Sequence, residues 1–169
     1  MSKTHVAPFD STLQTTNIWL NEIQEQLSWG EDHHRAYHAL RAVLHALRDR
    51  LPVDHAAALA AQLPMLIRGI YYEGWHPHGK PVKEHHKDAF LNHIVADFRG
   101  EPYADPERVA KAVFRVLSKH VSIGEIEGVK GSLPAEIRSL WTPAAEALHR
   151  TQCSVPAQHR TDIPPEEVI

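Results

Sequence analysis

Histidine is the residue type whose abundance in this sequence could support chemistry. The chain has 169 residues and contains 14 histidines. Four of them lie in one short stretch, namely His76, His78, His85 and His86. Glu73 and Glu84 are close to them in sequence, and imidazole with carboxylate suits zinc, nickel or copper. No HExxH motif or Cys/His array is present. A divalent-metal site is therefore one hypothesis, and a solvated loop without any cofactor is the simpler one.

A second group of histidines follows helical spacing. His34 and His38 are four residues apart, which places both imidazoles on one helical face, close enough to share an ion. Arg41 and His45 continue this face, on the side opposite the apolar residues of the same segment. A cationic arginine and the absence of visible shielding disfavour a metal here. We interpret this face as exposed to solvent.

Aromatic residues at the end of a predicted helix form a second candidate site. Tyr71, Tyr72 and Trp75 lie beside Arg68 and Glu73. Aromatic rings with a polar edge line both small-molecule pockets and protein interfaces. The alternative is that these rings fill the seam between two halves of the protein, with the indole nitrogen of Trp75 bonded to the backbone.

The candidate site residues take part in an internal repeat. Leu63-Pro64 recurs as Leu133-Pro134, Arg68 corresponds to Arg138, and Tyr71 corresponds to Trp141. A duplicated arginine indicates a duplicated role. The simplest role is an ion pair or a bond to the C-terminal carbonyls of a neighbouring helix, and anion binding is the alternative.

Motifs of several common enzymes are missing. The sequence has no GxSxG, no P-loop, and no GxGxxG after a predicted strand. We therefore lean towards a protein that is not an enzyme.

Composition and charge exclude several classes of function. The net charge is −3 with histidine neutral, and no basic block is present, so nucleic-acid binding is not expected. The single cysteine, Cys153, precludes an intramolecular disulfide and fits a reducing compartment. The N-terminus has no apolar signal segment, and no stretch is long enough to span a membrane. These features predict a soluble cytoplasmic protein.

The pattern of apolar residues predicts an all-α fold. Apolar side chains recur at helical spacing throughout, and no window alternates with a period of two. The sequence predicts two four-helix repeats, packed into one body with approximate twofold symmetry. The first repeat covers residues 11–75, a linker covers 76–82, the second repeat covers 83–141, and a mostly irregular tail covers 142–169.

Caps and prolines predict where the helices begin and end. In the first repeat they indicate four helices: Ser11 or Thr12 to Leu27, about His33 to Arg50, Pro52 to Gln62, and Pro64 to Tyr72. In the second repeat one helix ends at Gly100, Asp105 caps the next, Ser122 starts a third through a capping box, and Pro134 opens the last.

Three segments together resemble a known family. They are ALRAVLHALRDRLP, AAQLPMLIRGIYYEGW and HVSIGEIEGVKGSLPAEIRSLW. The chain resembles the bacterial domain-of-unknown-function family DUF2267 over roughly Thr15–Trp141. The resemblance implies a duplicated all-helical domain in soluble bacterial proteins, and it carries over no established activity and no catalytic residues.

Two functions are compatible with these features. The first is a non-enzymatic helical module that binds a protein partner, which includes a second copy of itself. The second is a protein that binds a metal or small ligand through its histidine-rich, aromatic linker.

Overall fold

A computed structural model describes residues 4–98 and 104–141 of the chain. Within these residues the fold is all-helical, with eight helices and no strand. The helices are α1 (Ala7–Leu27), α2 (His33–Arg48), α3 (Val53–Ala61), α4 (Met65–Tyr72), α5 (Lys87–Asp97), α6 (Pro106–His120), α7 (Ile123–Ser132) and α8 (Ala135–Arg138).

Three of the eight described helices start with a side-chain cap, and α4 follows a proline. The side chains of Asp32 and Asp105 accept hydrogen bonds from backbone N–H groups in the first turns of α2 and α6. The Ser122 side chain accepts from the N–H of Glu125, as in the predicted capping box. Pro64 precedes α4 with φ −55°, a value that proline fixes and that suits a helix start.

Two helix ends differ from the predicted boundaries. Helix α1 begins at Ala7 rather than at Ser11 or Thr12; Pro8 lies in its first turn, where the missing N–H costs nothing. Helix α2 ends at Arg48 rather than Arg50. The first helix of the second half, for which the sequence gives no start, begins at Lys87 after an irregular segment that runs from residue 73 to 86.

Helices α2 and α6 form the centre of the core. Helix α2 contacts α1, α4, α5 and α6, and α6 contacts α1, α2, α5 and α7. The side chains of Leu40, Leu44 and Leu47 on α2 and of Val113 and Leu117 on α6 are fully buried. The two halves of the chain therefore share one hydrophobic core. Each short helix gains stability from these contacts, since it would be marginal alone.

Helix α2 is buried on almost every side, which corrects one prediction. His45 was expected on a solvent face with His34, His38 and Arg41, but it is only 5% exposed, and Arg48 only 4%. The helical pattern identifies the apolar stripe correctly. It does not show that α4 and α5 cover the opposite face of this helix.

The segment between α4 and α5 is attached to the core at defined points. The N–H of Val82 donates to the carbonyl of Asp49 at 2.9 Å. Glu84 forms an ion pair with Arg50, whose side chain is almost fully buried. The predicted linker at 76–82 is thus irregular in secondary structure and bonded to the end of α2.

Two predicted features lie outside the described residues. They are the irregular tail at 142–169, which includes Cys153, and the predicted helix end at Gly100. Among the described residues, none of the helices combines the length and apolar character needed to cross a membrane.

Arg68 and Arg138 perform matching tasks at two helix ends. The Arg68 guanidinium donates to the carbonyls of Ala60 and Leu63, at 2.9 and 3.0 Å. The Arg138 guanidinium donates to the carbonyls of Lys130 and Leu133, both at 2.9 Å. Ala60 and Lys130 lie in the last turns of α3 and α7, and Leu63 and Leu133 follow shortly after these helices. Carbonyls at a helix end have spare acceptor capacity, because the helix does not supply donors to all of them. Both arginines thus have the simpler role expected of the repeat, a bond to the C-terminal carbonyls of a neighbouring helix.

Removing either arginine should destabilise the protein. We expect Arg68→Ala and Arg138→Ala each to lower the free energy of unfolding by about 1–2 kcal/mol, because charge-assisted bonds to helix-terminal carbonyls are lost. Urea denaturation measures this effect. Arg108→Ala is a suitable control, because Arg108 is exposed. Equal stability of all three variants would contradict the capping role.

Candidate functional site

An open, apolar groove lies between α1 and α4. It has a volume of about 620 Å³. Phe9 and Leu13 of α1 form one wall, and Met65, Leu66 and Ile70 of α4 form the other. Phe9 is 49% exposed and Met65 53%, which is unusual for such large apolar side chains in one place. A contiguous apolar surface of this kind is typical of an interaction site.

Hydrogen bonds hold α1 against α4. The Thr12 hydroxyl accepts from the N–H of Leu66 at 3.0 Å, so α1 satisfies one of the free donors at the start of α4. Thr4 and Glu73 both line the groove, which places the start of α1 beside the end of α4. The two helices are therefore antiparallel.

The first turn of α1 is stabilised locally. Both the N–H and the hydroxyl of Thr4 donate to Oδ1 of Asp10 at 2.8 Å. The backbone and side-chain bonds from Thr4 lower the pKa of Asp10. A carboxylate in the first turn also suits the positive end of the helix. These contacts keep Phe9 and Leu13 on a helix.

Helix α4 is apolar on two faces, and only one is covered. Ile67 and Tyr71 are fully buried, whereas Met65 and Leu66 face the groove. Gly69 also lines the groove, and a Cβ added there would meet no atom within 4 Å. The groove therefore has a gap at this position.

Buried groups of α2 fix the end of α4 that borders the groove. Nε2 of His45 donates to the carbonyl of Ile70 at 2.7 Å. Arg48 donates to the carbonyls of Tyr71 and Glu73, at 2.6 and 2.8 Å. A carbonyl oxygen only accepts, so Nε2 of His45 carries a proton. The C-terminal carbonyls of α4 thereby gain the partners that they lack within the helix.

Arg41 links the groove to the second half of the chain. Its guanidinium contacts Oε2 of Glu73 at 3.4 Å and Oδ2 of Asp97 at 3.3 Å. Oδ2 of Asp97 also lies 3.6 Å from Nδ1 of His45. Burial lowers the pKa of His45, and the charges of Arg48 and Arg41 lower it further; the bond to Ile70 and the carboxylate of Asp97 oppose this shift without reversing it.

A second histidine is held neutral in a similar way. Nη1 of Arg50 lies 3.2 Å from Nδ1 of His93, and a guanidinium only donates, so Nδ1 of His93 accepts. Burial and the charge of Arg50 lower the pKa of His93. Arg50 itself is bonded to the carbonyl of Ala46 and to Glu84. These groups join α2, the segment after α4, and α5.

The predicted aromatic candidates are mostly part of the core. Tyr71 is fully buried and donates to the carbonyl of Ala56 at 2.8 Å, and burial raises the pKa of its phenol. The ring of Trp141 stacks on that of Phe114 with centroids 3.7 Å apart, and its indole N–H donates to the hydroxyl of Ser118. Tyr72 and Trp75 are partly buried, and their ring centroids are 5.4 Å apart. Only Glu73 among the predicted binding residues lines the groove.

One detail of the packing interpretation is wrong. The indole nitrogen of Trp75 was expected to bond to the backbone, but it is buried without a hydrogen-bond partner among the described residues. Its ring packs against the core beside Tyr72, so contact area rather than hydrogen bonding holds it.

The predicted linker histidines do not converge. His76, His78, His85 and His86 are all exposed, and His86 lies 3.4 Å from a carboxylate oxygen of Glu136. Within residues 4–98 and 104–141, no group of three or more His, Cys, Asp or Glu side chains is arranged to hold a metal ion. The hypothesis of a metal site in the linker gains no support from the structure.

The groove residues Phe9, Leu13, Met65 and Leu66 were not predicted as a site. One sequence signal was available, because Phe9 and Leu13 are four residues apart and so share a helical face. Because the predicted helix starts at Ser11 or Thr12, Phe9 falls outside it and this pair was missed.

A comparison with protein families identifies the chain. A family model described as "Uncharacterized conserved protein (DUF2267)" matches residues 16–140. The protein belongs to this family. None of the curated proteins compared with it matches the chain. The DUF2267 match begins inside α1, after Phe9 and Leu13, so one wall of the groove lies within the matched region and the other precedes it.

The buried histidines predict a pH dependence of stability. The pKa values of His45 and His93 are lowered from 6.5 in the folded state. Their contribution to the free energy of unfolding is therefore complete above pH 6.5 and is lost as the pH falls through the lowered pKa values. When the pH falls from 8 to 5.5, we expect the protonation of each histidine to lower the free energy of unfolding by up to about 1 kcal/mol.

Urea denaturation at the two pH values tests this prediction. The double variant His45→Gln/His93→Gln should lose less stability on acidification than the wild type. His76→Gln, at an exposed position, should behave as the wild type does. A double variant with the full wild-type pH dependence would show that these histidines are not responsible.

Proposed function

We propose that this DUF2267 protein is a non-enzymatic protein-binding module, and that the groove between α1 and α4 accepts an amphipathic helix of a partner protein. The observation that carries this proposal is the exposed apolar wall of Phe9, Leu13, Met65 and Leu66. Among the described residues that line the groove, Glu73 is the only ionisable one. A binding role therefore has more support than acid–base chemistry at this place.

The shape of the groove favours a helical occupant. Two antiparallel helices with apolar residues along their facing edges leave a channel for a third helix. Helix-in-groove recognition uses apolar anchors at positions i, i+3, i+4 and i+7 of the bound helix. The gap at Gly69 has room for one such anchor.

The scaffold of this module is, in our proposal, an internal duplication with an approximate twofold axis. A twofold axis would exchange α1–α4 with α5–α8. A contact between α1 and α6 then requires an equivalent contact between α5 and α2, and both contacts are present. The contacts of α2 with α6 and of α3 with α7 are unchanged by the exchange. The paired roles of Arg68 and Arg138 give further support.

The two halves differ at the proposed groove. In the repeat, Phe90 of α5 corresponds to Trp19 of α1. Helix α1 has twelve residues before Trp19, whereas α5 has three before Phe90. The extra turns carry Phe9 and Leu13. The groove is thus built by an extension that the second half lacks.

We also place the protein in the cytoplasm. The support is the single cysteine among 169 residues, which fits a reducing compartment.

Filling the groove should abolish partner binding. In Gly69→Phe, the new side chain meets no protein atom near its Cβ and replaces a residue of poor helix propensity, so the fold should persist. We expect the immobilised wild type to retain a partner from a lysate of the native host, and Gly69→Phe to lose it. Gly131→Phe is the matched control, because Gly131 is also helical, exposed and unobstructed.

Three results would count against the proposal. Retention of the same proteins by Gly69→Phe would show that they bind elsewhere. Loss of binding in Gly131→Phe as well would indicate a general effect of an added aromatic. Self-association of the purified wild type, abolished by Gly69→Phe in sedimentation, would identify a second copy as the occupant instead of a different protein.

A further inference from the structure

We propose that His34 and His38 form a chelating site for a divalent transition metal on the exposed side of α2. The site is independent of the groove and of the linker histidines. It uses two imidazole nitrogens one helical turn apart.

The distance between the two nitrogens carries this proposal. Nε2 of His34 and Nε2 of His38 are 3.1 Å apart. At metal–nitrogen distances of about 2.0–2.1 Å, this separation corresponds to an angle of roughly 95–100° at the ion. Such an angle fits two neighbouring positions of a square or octahedral coordination sphere. The rings also lie perpendicular to each other, with their centroids 4.5 Å apart.

The protonation of the pair is compatible with metal binding. Without a metal, one Nε2 must donate and the other accept, since two N–H groups cannot face each other at this distance. A bound metal ion would take the place of the hydrogen between the two nitrogens, and one lone pair from each nitrogen would coordinate it.

The backbone and the neighbouring side chains position both rings. The Asp32 side chain caps α2 at the N–H of Arg35, and the helix is fixed in the core from Ala36 onwards. The ring of Tyr37 contacts that of His38 with centroids 5.2 Å apart. His33 does not join the pair, because its Nε2 bonds to Asn21 at 2.6 Å.

The charge of Arg41 near the site is already paired. Arg41 follows His38 by one turn, but its guanidinium is bonded to Glu73 and Asp97. His34 is exposed, so an ion can approach from solvent. Across residues 4–98 and 104–141, no third His, Cys, Asp or Glu completes a metal-binding group, so water would fill the remaining positions. Copper should bind more tightly than nickel or zinc, as expected for imidazole ligands.

Calorimetric titration of the untagged full-length protein with Cu²⁺ at pH 7.5 tests the site. We expect about one equivalent to bind to the wild type, with an affinity at least tenfold lower in His34→Gln and in His38→Gln. The double variant His76→Gln/His78→Gln should bind as the wild type does. Nitrogen hyperfine structure in the electron paramagnetic resonance spectrum should indicate two imidazoles in the wild type and one in each single variant.

Other outcomes overturn the proposal. They are no measurable binding of Cu²⁺, binding that survives unchanged in His34→Gln, or binding lost only in the linker variant. His34 is exposed and His38 is half-buried in the first turns of α2, so melting temperatures should change little between variants without metal. A large drop in either variant would assign the pair a structural role instead.

Discussion

The structure depends on how the buried helix α2 satisfies its polar side chains. His45 and Arg48 lie on this helix, which is covered on nearly all sides, and Arg50 follows just after its end. A buried polar group without a partner costs about 1–3 kcal/mol, and more if it is charged. His45 and Arg48 find partners in the C-terminal carbonyls of α4, which themselves lack partners within their helix. The buried donors of α2 and the terminal carbonyls of α4 thus satisfy each other, and these hydrogen bonds fix the position of α4 against α2.

The proposed function follows from the position of α4. Because its end is bonded to α2 and its Ile67–Tyr71 face is buried, the opposite face with Met65 and Leu66 must point outward. The long first helix then lies beside it and is held there by the bond between Thr12 and Leu66. A rigid apolar channel results, and its walls belong to helices rather than loops. Rigid walls reduce the entropy that binding must overcome.

Much of the fold can be predicted from the sequence, because helical periodicity and caps are local signals. Asp32, Asp105 and Ser122 mark helix starts correctly. The start of α1 could not be predicted, since Val6 provides no side-chain cap and the helix depends on packing against α4. The burial of His45 is likewise invisible in α2 alone, because α4 and α5 cover it. The groove was missed for the same reason, since it exists only once two distant segments are placed together.

The central claim is that α2 and α6 form one core shared by both halves of the chain, and native-state hydrogen exchange tests it most directly. If the claim is right, the slowest amides of α2 and α6 exchange only through global unfolding, with the same free energy and the same dependence on denaturant. If the amides of α5 to α8 instead exchange through a separate opening of much lower free energy, while those of α1 to α4 remain protected, the two halves are independent and the account is wrong.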